Sequence, residues 1–289
     1  MNKVGNYLRG ILKFNVSSYG EPEIFIIGAM KSGTTSLYQY LNFHSQLESS
    51  TIKEPCYFSY NFVKGKKWYL SQFPQKSFFS KKKYFDASPV YLHDPESAFR
   101  LYKEYPEAKI IVILRDPIDR AISHYNYYSA GDSNYSNNPL NEIETRSVEK
   151  AFKDDIEGLE SRTFKKYCRM SLYGEQVNRF LKYFKRSQIL FIDTVELECD
   201  LVNTLHSVSD FIGISSKHEF NDFNLDGKTV NSKDSFSKQH KKEIAIYNKL
   251  EYKIAVSDEL RNELLLFFRQ DVKKLLEISG KHFSWASKY

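Results

Sequence analysis

The sequence predicts an α/β protein in which a central, mainly parallel β-sheet is flanked by helices on both faces. Two apolar runs, Ile24–Ile27 and Ile110–Leu114, show no polar alternation, which is typical of strands buried on both faces of a parallel sheet. Each run is followed by a turn and a helical pattern, as in βαβ units. A third run, Gln188–Asp193, is a further strand candidate of the same sheet.

The first strand leads into a loop with the composition of an anion-binding site. Phe25–Tyr40 reads FIIGAMKSGTTSLYQY, and Gly28 and Gly33 permit a tight turn with close backbone approach. Thr34 and Thr35 then open a helix and can supply hydroxyls where its first N–H groups lack partners. The free amides and the helix dipole favour a phosphate or sulfate there. The unit therefore predicts a P-loop-type, three-layer fold.

This loop departs from a Walker A nucleotide loop at one position. Its glycines keep the spacing of G-x-x-x-x-G-K-[ST], but Thr34 stands where the lysine is expected, and Lys31 lies inside the loop. A Walker lysine reaches the terminal phosphates of ATP beside magnesium. The displaced lysine therefore favours a different donor and no metal.

The second strand–helix unit, Lys109–Tyr128, predicts another anion site. Arg115 follows the strand directly, and Asp116 can cap the next helix, from whose second turn Ser123 projects. Ligand groups collect at the carboxyl ends of strands in open α/β sheets, so we expect both anion sites at one edge. The alternative is that Arg115 pairs with Asp116 or Asp119 in a solvated turn.

The remaining pattern predicts one domain at 23–289, after an N-terminal extension at 1–22, without an internal repeat. A short strand is expected within Tyr84–Tyr91, ending in a Ser-Pro turn, and polar loops at Gly131–Thr145 and Phe220–Phe236. Apolar periodicity predicts these helices: Ser36–Asn42, Pro95–Tyr105, Ser147–Leu159, Ser171–Phe184, Leu201–Ile212, Lys238–Ala255 and Asp258–Ser279.

Composition limits the class of partner. The net charge of +6 suits an anionic ligand but lacks the dense basic runs of nucleic-acid-binding proteins, so we expect no nucleic acid partner. The three cysteines and seven histidines share no metal-ligand spacing, which favours a reducing, cytoplasmic location and no metal. We expect no transmembrane segment, although one apolar face in the first twenty residues allows peripheral membrane contact. The oligomeric state is left open.

The two anion-binding segments together resemble the sulfotransferases that use PAPS (3′-phosphoadenosine 5′-phosphosulfate), among them heparan sulfate-type glycan enzymes and their bacterial relatives. The loop is similar to their 5′-phosphosulfate loop, and their R-D-P-x-x-R-x-x-S pattern stands intact from Arg115 to Ser123. The resemblance implies PAPS as donor, PAP as product and no required metal. It places the 3′-phosphate against Arg115 and Ser123, and the 5′-phosphosulfate against Lys31, Ser32, Gly33, Thr34, Thr35 and Ser36.

The resemblance also implies a general base. The segment KEPCYF is similar to the heparan sulfate-type pattern, in which Glu54 would accept the acceptor's proton and Lys53 would touch donor or acceptor. Lys31 would stabilise the leaving phosphate. His93 is the alternative base, because cytosolic small-molecule sulfotransferases use a histidine; Asp86 and His44 are others. In the segment D-A-S-P-V-Y, an alanine replaces the family's lysine, which puts a heparan acceptor in doubt.

The resemblance runs roughly from residue 23 to residue 285 and adds two donor contacts, Lys228 and Tyr173. It implies sulfation of a hydroxyl, less readily an amine, on a carbohydrate, glycolipid or polysaccharide. The alternatives are sulfation of a small-molecule hydroxyl with His93 as base, a P-loop small-molecule kinase, and a catalytically dead donor-binding scaffold. The animal members of this family are anchored in the Golgi membrane. We expect no such anchor here, which favours a bacterial, cytoplasmic protein.

Overall fold

A parallel sheet of five strands forms the centre of the molecule. The computed structural model describes residues 19–76, 81–129, 143–215 and 256–289. The strands lie in the order β2-β3-β1-β4-β5, and every neighbouring pair is parallel. This confirms the predicted α/β class. The strands are β1 (Pro22–Gly28), β2 (Leu47–Ser49), β3 (Lys83–Ala87), β4 (Lys109–Leu114) and β5 (Ile189–Asp193).

Helices cover both faces of this sheet because successive side chains of the buried strands point to opposite sides. Phe25 and Ile27 of β1 pack into one apolar cluster, and Ile24 and Ile26 pack into the other. The helices of the described residues are α1 (Thr34–Asn42), α2 (Gly65–Leu70), α3 (Ser97–Glu104), α4 (Pro117–Ser129), α5 (Val148–Ile156), α6 (Tyr173–Leu181), α7 (Thr194–Cys199), α8 (Leu201–Ile212) and α9 (Asp258–Ser279).

The predicted elements agree closely with these bounds, and α8 and α9 have the bounds that periodicity predicts. The strand predicted within Tyr84–Tyr91 stops at Ala87, because Pro89 begins a single 3₁₀ turn. No bounds were predicted for β2, which is three residues long, or for the short helices α2 and α7. The helix predicted at Lys238–Ala255, the loop at Phe220–Phe236 and most of the loop at Gly131–Thr145 lie outside the described residues.

The carboxyl ends of the strands share one edge, since all five strands are parallel. The loop after β1, the turn after β4 and the start of α7 after β5 therefore lie side by side, as expected for the ligand edge of an open α/β sheet. Across the part of the chain that the structure describes, no helix is long and apolar enough to cross a membrane.

Candidate active site

The loop between β1 and α1 has the geometry of an anion cradle. Gly33 precedes α1 in the left-handed conformation (φ 95°), which favours glycine. A Cβ atom at Gly28 would lie 2.6 Å from the Cβ atom of Leu92, so only glycine fits there. No side chain caps the helix, contrary to the expectation for the two threonine hydroxyls. Four consecutive N–H groups have no acceptor within the described residues: those of Gly33, Thr34, Thr35 and Ser36.

Lys31 is part of this loop. Its backbone is left-handed (φ 69°), an uncommon conformation for residues other than glycine and asparagine. Its ammonium group lies 4.6 Å from the centre of the Tyr127 ring on α4, within the range of a cation–π contact. The lysine therefore adds a positive charge beside the four unpartnered N–H groups, which completes a site suited to a phosphate or sulfate group.

The segment that carries Glu54 lies against the same loop. The Lys53 ammonium donates to the Thr35 hydroxyl at 3.0 Å and lies 3.8 Å from the Glu54 carboxylate. The side chain of Glu54 keeps 39% of its surface exposed. Burial of the carboxyl group nevertheless raises the pKa of Glu54, and the positive charges of Lys53 and Lys31 act in the opposite direction. The structure thus brings together Lys31, Thr35, Lys53 and Glu54.

Arg115 stands at the end of β4, beside the loop, and Ser123 is half-buried on α4. The alternative of an ion pair in a solvated turn is wrong, because neither Asp116 nor Asp119 pairs with Arg115 within the described ranges. Asp116 instead caps α4 by accepting the N–H groups of Ile118 and Asp119, and it accepts hydrogen bonds from Lys288 and Tyr289. Among the residues that the structure describes, the guanidinium of Arg115 therefore has no hydrogen-bond or ion-pair partner.

The second arginine of the same motif has a structural role. Arg120 is fully buried, and its guanidinium donates to the hydroxyl of Ser171 and to the carbonyl of Tyr167. These bonds fasten α4 to the chain that leads into α6, and so they fix the position of Tyr173. Burial lowers the pKa of Arg120.

Tyr173 lies beneath the loop and not at its surface. Its side chain is fully buried, as is that of Ser32, and neither hydroxyl makes a hydrogen bond of normal geometry among the described residues. Burial raises the pKa of Tyr173 to about 12, an effect that Arg120 and the neighbouring Ser32 hydroxyl oppose. Ser32 and Tyr173 can therefore support the loop from below, and their roles in donor binding stay predictions.

The two candidate histidines occupy different surroundings. His93 is half-buried, and burial together with the charges of Arg120, Arg179 and Lys166 lowers its pKa to about 4. His44 is buried near the end of α1, where its Nε2 atom lies 2.8 Å from the carbonyl oxygen of Ser215. The ring of His44 is thus in contact with the backbone, and His93 is neutral at pH 7.

Asp86 is a buried hydrogen-bond acceptor. The Tyr69 and Tyr91 hydroxyls donate to Oδ2 at 2.7 and 2.8 Å, and the Ser88 hydroxyl donates to Oδ1 at 2.7 Å. Burial raises its pKa to about 6, although the three hydroxyls oppose this and the charge of Glu54 adds to it. Because the carboxylate is fully buried and has three donors, it is suited to holding its neighbours in place.

Replacement of Asp86 with asparagine is expected to change how stability depends on pH. A carboxyl group whose pKa rises from 3.8 to about 6 on folding binds its proton more tightly in the folded state. The wild type should therefore lose stability relative to Asp86→Asn as pH rises from about 4 to about 6, by at most ~3 kcal/mol. Urea unfolding of both proteins across this range measures the difference. A difference that does not vary with pH would contradict the raised pKa.

One predicted donor contact, Lys228, lies outside the described residues. In the described stretches, no group of three or more histidine, cysteine or acidic side chains could hold a metal ion. That the reaction needs no metal stays a prediction.

Sequence reasoning missed two residues that hold the loop in place. The Thr194 hydroxyl, at the start of α7, lies 2.9 Å from the Ser32 carbonyl oxygen and 3.0 Å from that of Leu114, so it links the loop to the end of β4. Tyr127 lies beneath the Lys31 ammonium. The signal for Thr194 was its place directly after a predicted strand, whereas nothing in the local pattern distinguished Tyr127 from its neighbouring tyrosines.

Comparison with known proteins agrees with this geometry. The model of the family described as "Sulfotransferase domain" matches residues 21–273. The sequence is 31% identical over 208 residues to the bifunctional heparan sulfate N-deacetylase/N-sulfotransferase 4 of Mus musculus, covering 70% of this chain and 23% of that protein. It is also 38% identical over 107 residues to the membrane-associated sulfotransferase kil1 of Dictyostelium discoideum, covering 37% of this chain and 23% of that protein.

A solved structure supports the same assignment over nearly the whole chain. The sulfotransferase from Alicyclobacillus acidocaldarius superposes with a TM-score of 0.70 at 26% identity, covering 93% of this chain and 99% of that one. The chain spans about a quarter of the length of the curated relatives named above. The family match, the fold and the anion cradle agree. The chain therefore belongs to the sulfotransferase family.

Proposed function

We propose that the chain transfers a sulfuryl group from PAPS to a hydroxyl, less readily an amine, of a carbohydrate, glycolipid or polysaccharide. The observation that carries the proposal is the pairing of two anion sites at adjacent strand ends. The β1–α1 loop offers four unpartnered N–H groups and Lys31, and Arg115 stands at the end of neighbouring β4 without an acidic partner in the described residues. Two separate anion sites suit a donor with phosphate groups at its 5′ and 3′ positions.

Each donor end would meet a different kind of group. The loop amides, Lys31, and the Thr35 and Ser36 side chains would hold the 5′-phosphosulfate, and Lys53 already contacts Thr35. Arg115 and Ser123 would hold the 3′-phosphate, for which the planar guanidinium fork is well suited. PAPS supplies an activated sulfuryl group whose transfer leaves PAP.

The chain's own part in the reaction is alignment, charge stabilisation and proton removal. Lys31 would place its positive charge where the leaving phosphate gains negative charge. Glu54 would accept the proton of the acceptor hydroxyl as that oxygen attacks sulfur. Its position beside Lys53 and Lys31 keeps the carboxylate next to the cradle.

The alternative bases are less well suited to this role. A general base works best when its pKa lies near the working pH, and burial moves the pKa of Glu54 upward from its ordinary value. The His93 pKa is lowered to about 4, and the Asp86 carboxylate is fully buried behind three hydroxyl donors. The Glu54 side chain also keeps 39% of its surface exposed, whereas the Asp86 side chain is fully buried.

The carbohydrate acceptor is supported by the relatives and by the segment around Glu54. The mouse relative is named for an N-sulfotransferase of heparan sulfate, and the KEPCYF segment resembles that group. Ala87 stands where that group has a lysine, so we propose a glycan other than heparan sulfate. We also propose a cytoplasmic location, which the free thiols of Cys56, Cys168 and Cys199 support.

The experiment is a transfer assay with isotope-labelled PAPS and a pair of matched acceptors. One is a glucosamine oligosaccharide with free amino groups, and the other is its N-acetylated form, which has hydroxyls alone as acceptor groups. We expect labelled sulfate on both, with mass spectrometry placing it on oxygen. Transfer to a simple phenol but to neither oligosaccharide would favour a small-molecule acceptor. No transfer to either class, with intact PAP binding, would favour the non-catalytic scaffold.

A further inference from the structure

The segment that carries Glu54 has an unfavourable backbone conformation. Glu54 (φ 57°) and Cys56 (φ 49°) are both left-handed, and Pro55 lies between them. For a residue with a side chain this conformation is unfavourable, because it brings the Cβ atom too close to the carbonyl oxygen. Such strain persists where neighbouring contacts hold the backbone in place, and it is frequent at functional sites. The contacts that hold residues 54–56 are therefore of functional interest.

One chain of hydrogen bonds reaches this segment from the interior. The Cys56 N–H group donates to the Ser88 hydroxyl at 3.0 Å, and that hydroxyl donates to Oδ1 of Asp86 at 2.7 Å. Tyr69 and Tyr91 donate to the other carboxylate oxygen of Asp86. From the other side, the Asn61 side-chain amide donates to the Pro55 carbonyl at 2.8 Å.

We propose that Ser88 and Asp86 are positioning residues for Glu54: the Asp86 carboxylate orients the Ser88 hydroxyl, which fixes the strained 54–56 backbone and so aims the Glu54 carboxylate at the acceptor. This inference rests on the proposed role of Glu54 as general base. Among the described residues, neither Ser88 nor Asp86 makes a hydrogen bond to the β1–α1 loop, so both act through Glu54.

The direction of each hydrogen bond supports this assignment. A serine hydroxyl has one proton, so donation to Asp86 turns its lone pairs toward other donors. A bond to a carboxylate is stronger than one between neutral groups, and it holds the hydroxyl in that orientation. Both Ser88 and Asp86 are fully buried, so water is not at hand to replace a lost partner. Without the Ser88 hydroxyl, the Cys56 N–H group loses its acceptor in a partly buried position.

The test compares Ser88→Ala with Ser209→Ala. Ser209 is an equally buried serine whose hydroxyl donates to the Leu205 carbonyl at 2.9 Å within α8. At pH 7.5 we expect Ser88→Ala to lower kcat about 10- to 100-fold while PAP affinity changes less than about twofold. We expect Ser209→Ala to retain kcat. The assay uses labelled PAPS and the glucosamine oligosaccharide.

A double-mutant cycle separates positioning from general loss of structure. In the Glu54→Gln background, Ser88→Ala should lower the residual rate less than about twofold, since there is no base left to aim. An equal loss in both backgrounds would overturn the inference. Asp86→Asn, which keeps the size of the side chain, should show the same pattern, and it replaces Ser88→Ala in the cycle if that variant does not fold. A Glu54→Gln variant with normal turnover would instead overturn the proposed base itself.

Discussion

Glu54→Gln is expected to lower kcat by about 10²- to 10⁴-fold, the usual contribution of a positioned general base. Glutamine has nearly the same size and keeps hydrogen-bonding capacity, but it cannot accept the acceptor's proton. Its side chain should leave the anion cradle intact, so PAP affinity should change little. Steady-state kinetics with labelled PAPS, together with calorimetric titration of PAP, measure the two effects separately.

The matched control is Glu23→Gln. Glu23 lies 3.4 Å from Lys83, an exposed lysine–glutamate pair similar to that of Lys53 and Glu54, but it lies at the amino end of the strands. This control should retain kcat. In the wild type, kcat should rise with pH as Glu54 ionises, with a midpoint above 4.5 because burial raises its pKa. If Glu54→Gln kept near-normal turnover, the base would have to be His93 or Asp86.

Lys31→Ala should lower kcat by about 10²- to 10³-fold, as expected for loss of one group that stabilises charge in the transition state. The Lys31 ammonium is held at the loop by its left-handed backbone and the Tyr127 ring. Its removal leaves the four loop amides, so donor binding should weaken less than turnover does. Single-turnover transfer at saturating PAPS measures the chemical step, and PAP calorimetry measures the binding.

Lys109→Ala is the control for this lysine. The Lys109 ammonium also lies over an aromatic ring, 4.9 Å from the centre of Phe211, but Lys109 begins β4 at the edge opposite to the cradle. Lys109→Ala removes one positive charge, as Lys31→Ala does, and should leave the transfer rate unchanged. Equal losses in both variants would mean that net charge, and not a specific contact, controls the rate. A Lys31→Ala variant with weaker PAP binding but normal single-turnover rate would assign Lys31 to binding alone.

The local pattern of the sequence was sufficient for the elements that carry the anion sites. Continuous apolar runs marked β1, β4 and β5, and the glycine spacing marked the loop, because these features depend on neighbours along the chain. The three residues of β2 and the six of α7 are too short for a periodic signal. Strand order depends on contacts between distant residues, and the pattern held no signal for it.

The same distinction applies within the candidate site. Lys31, Glu54 and Arg115 were identified because each stands in a motif, and the structure places Lys31 and Glu54 together. The burial of Asp86 and Arg120 was not predictable, nor were their hydrogen bonds to Tyr69 and Ser171, which are distant in sequence. The motif residues could thus be picked out from the sequence, whereas the residues packed around them could be identified only from the structure.

PAPS is proposed to occupy both anion sites, and calorimetric binding of PAP tests this most directly, with ATP plus magnesium as the rival ligand. Arg115 has no acidic partner in the described residues, so its loss should remove ligand contacts without breaking an ion pair. We predict tight PAP binding that needs no metal, is weakened at least about 10-fold by Arg115→Ala, and is unchanged by Lys109→Ala. Preference for ATP with magnesium, or PAP binding that survives Arg115→Ala, would contradict this claim.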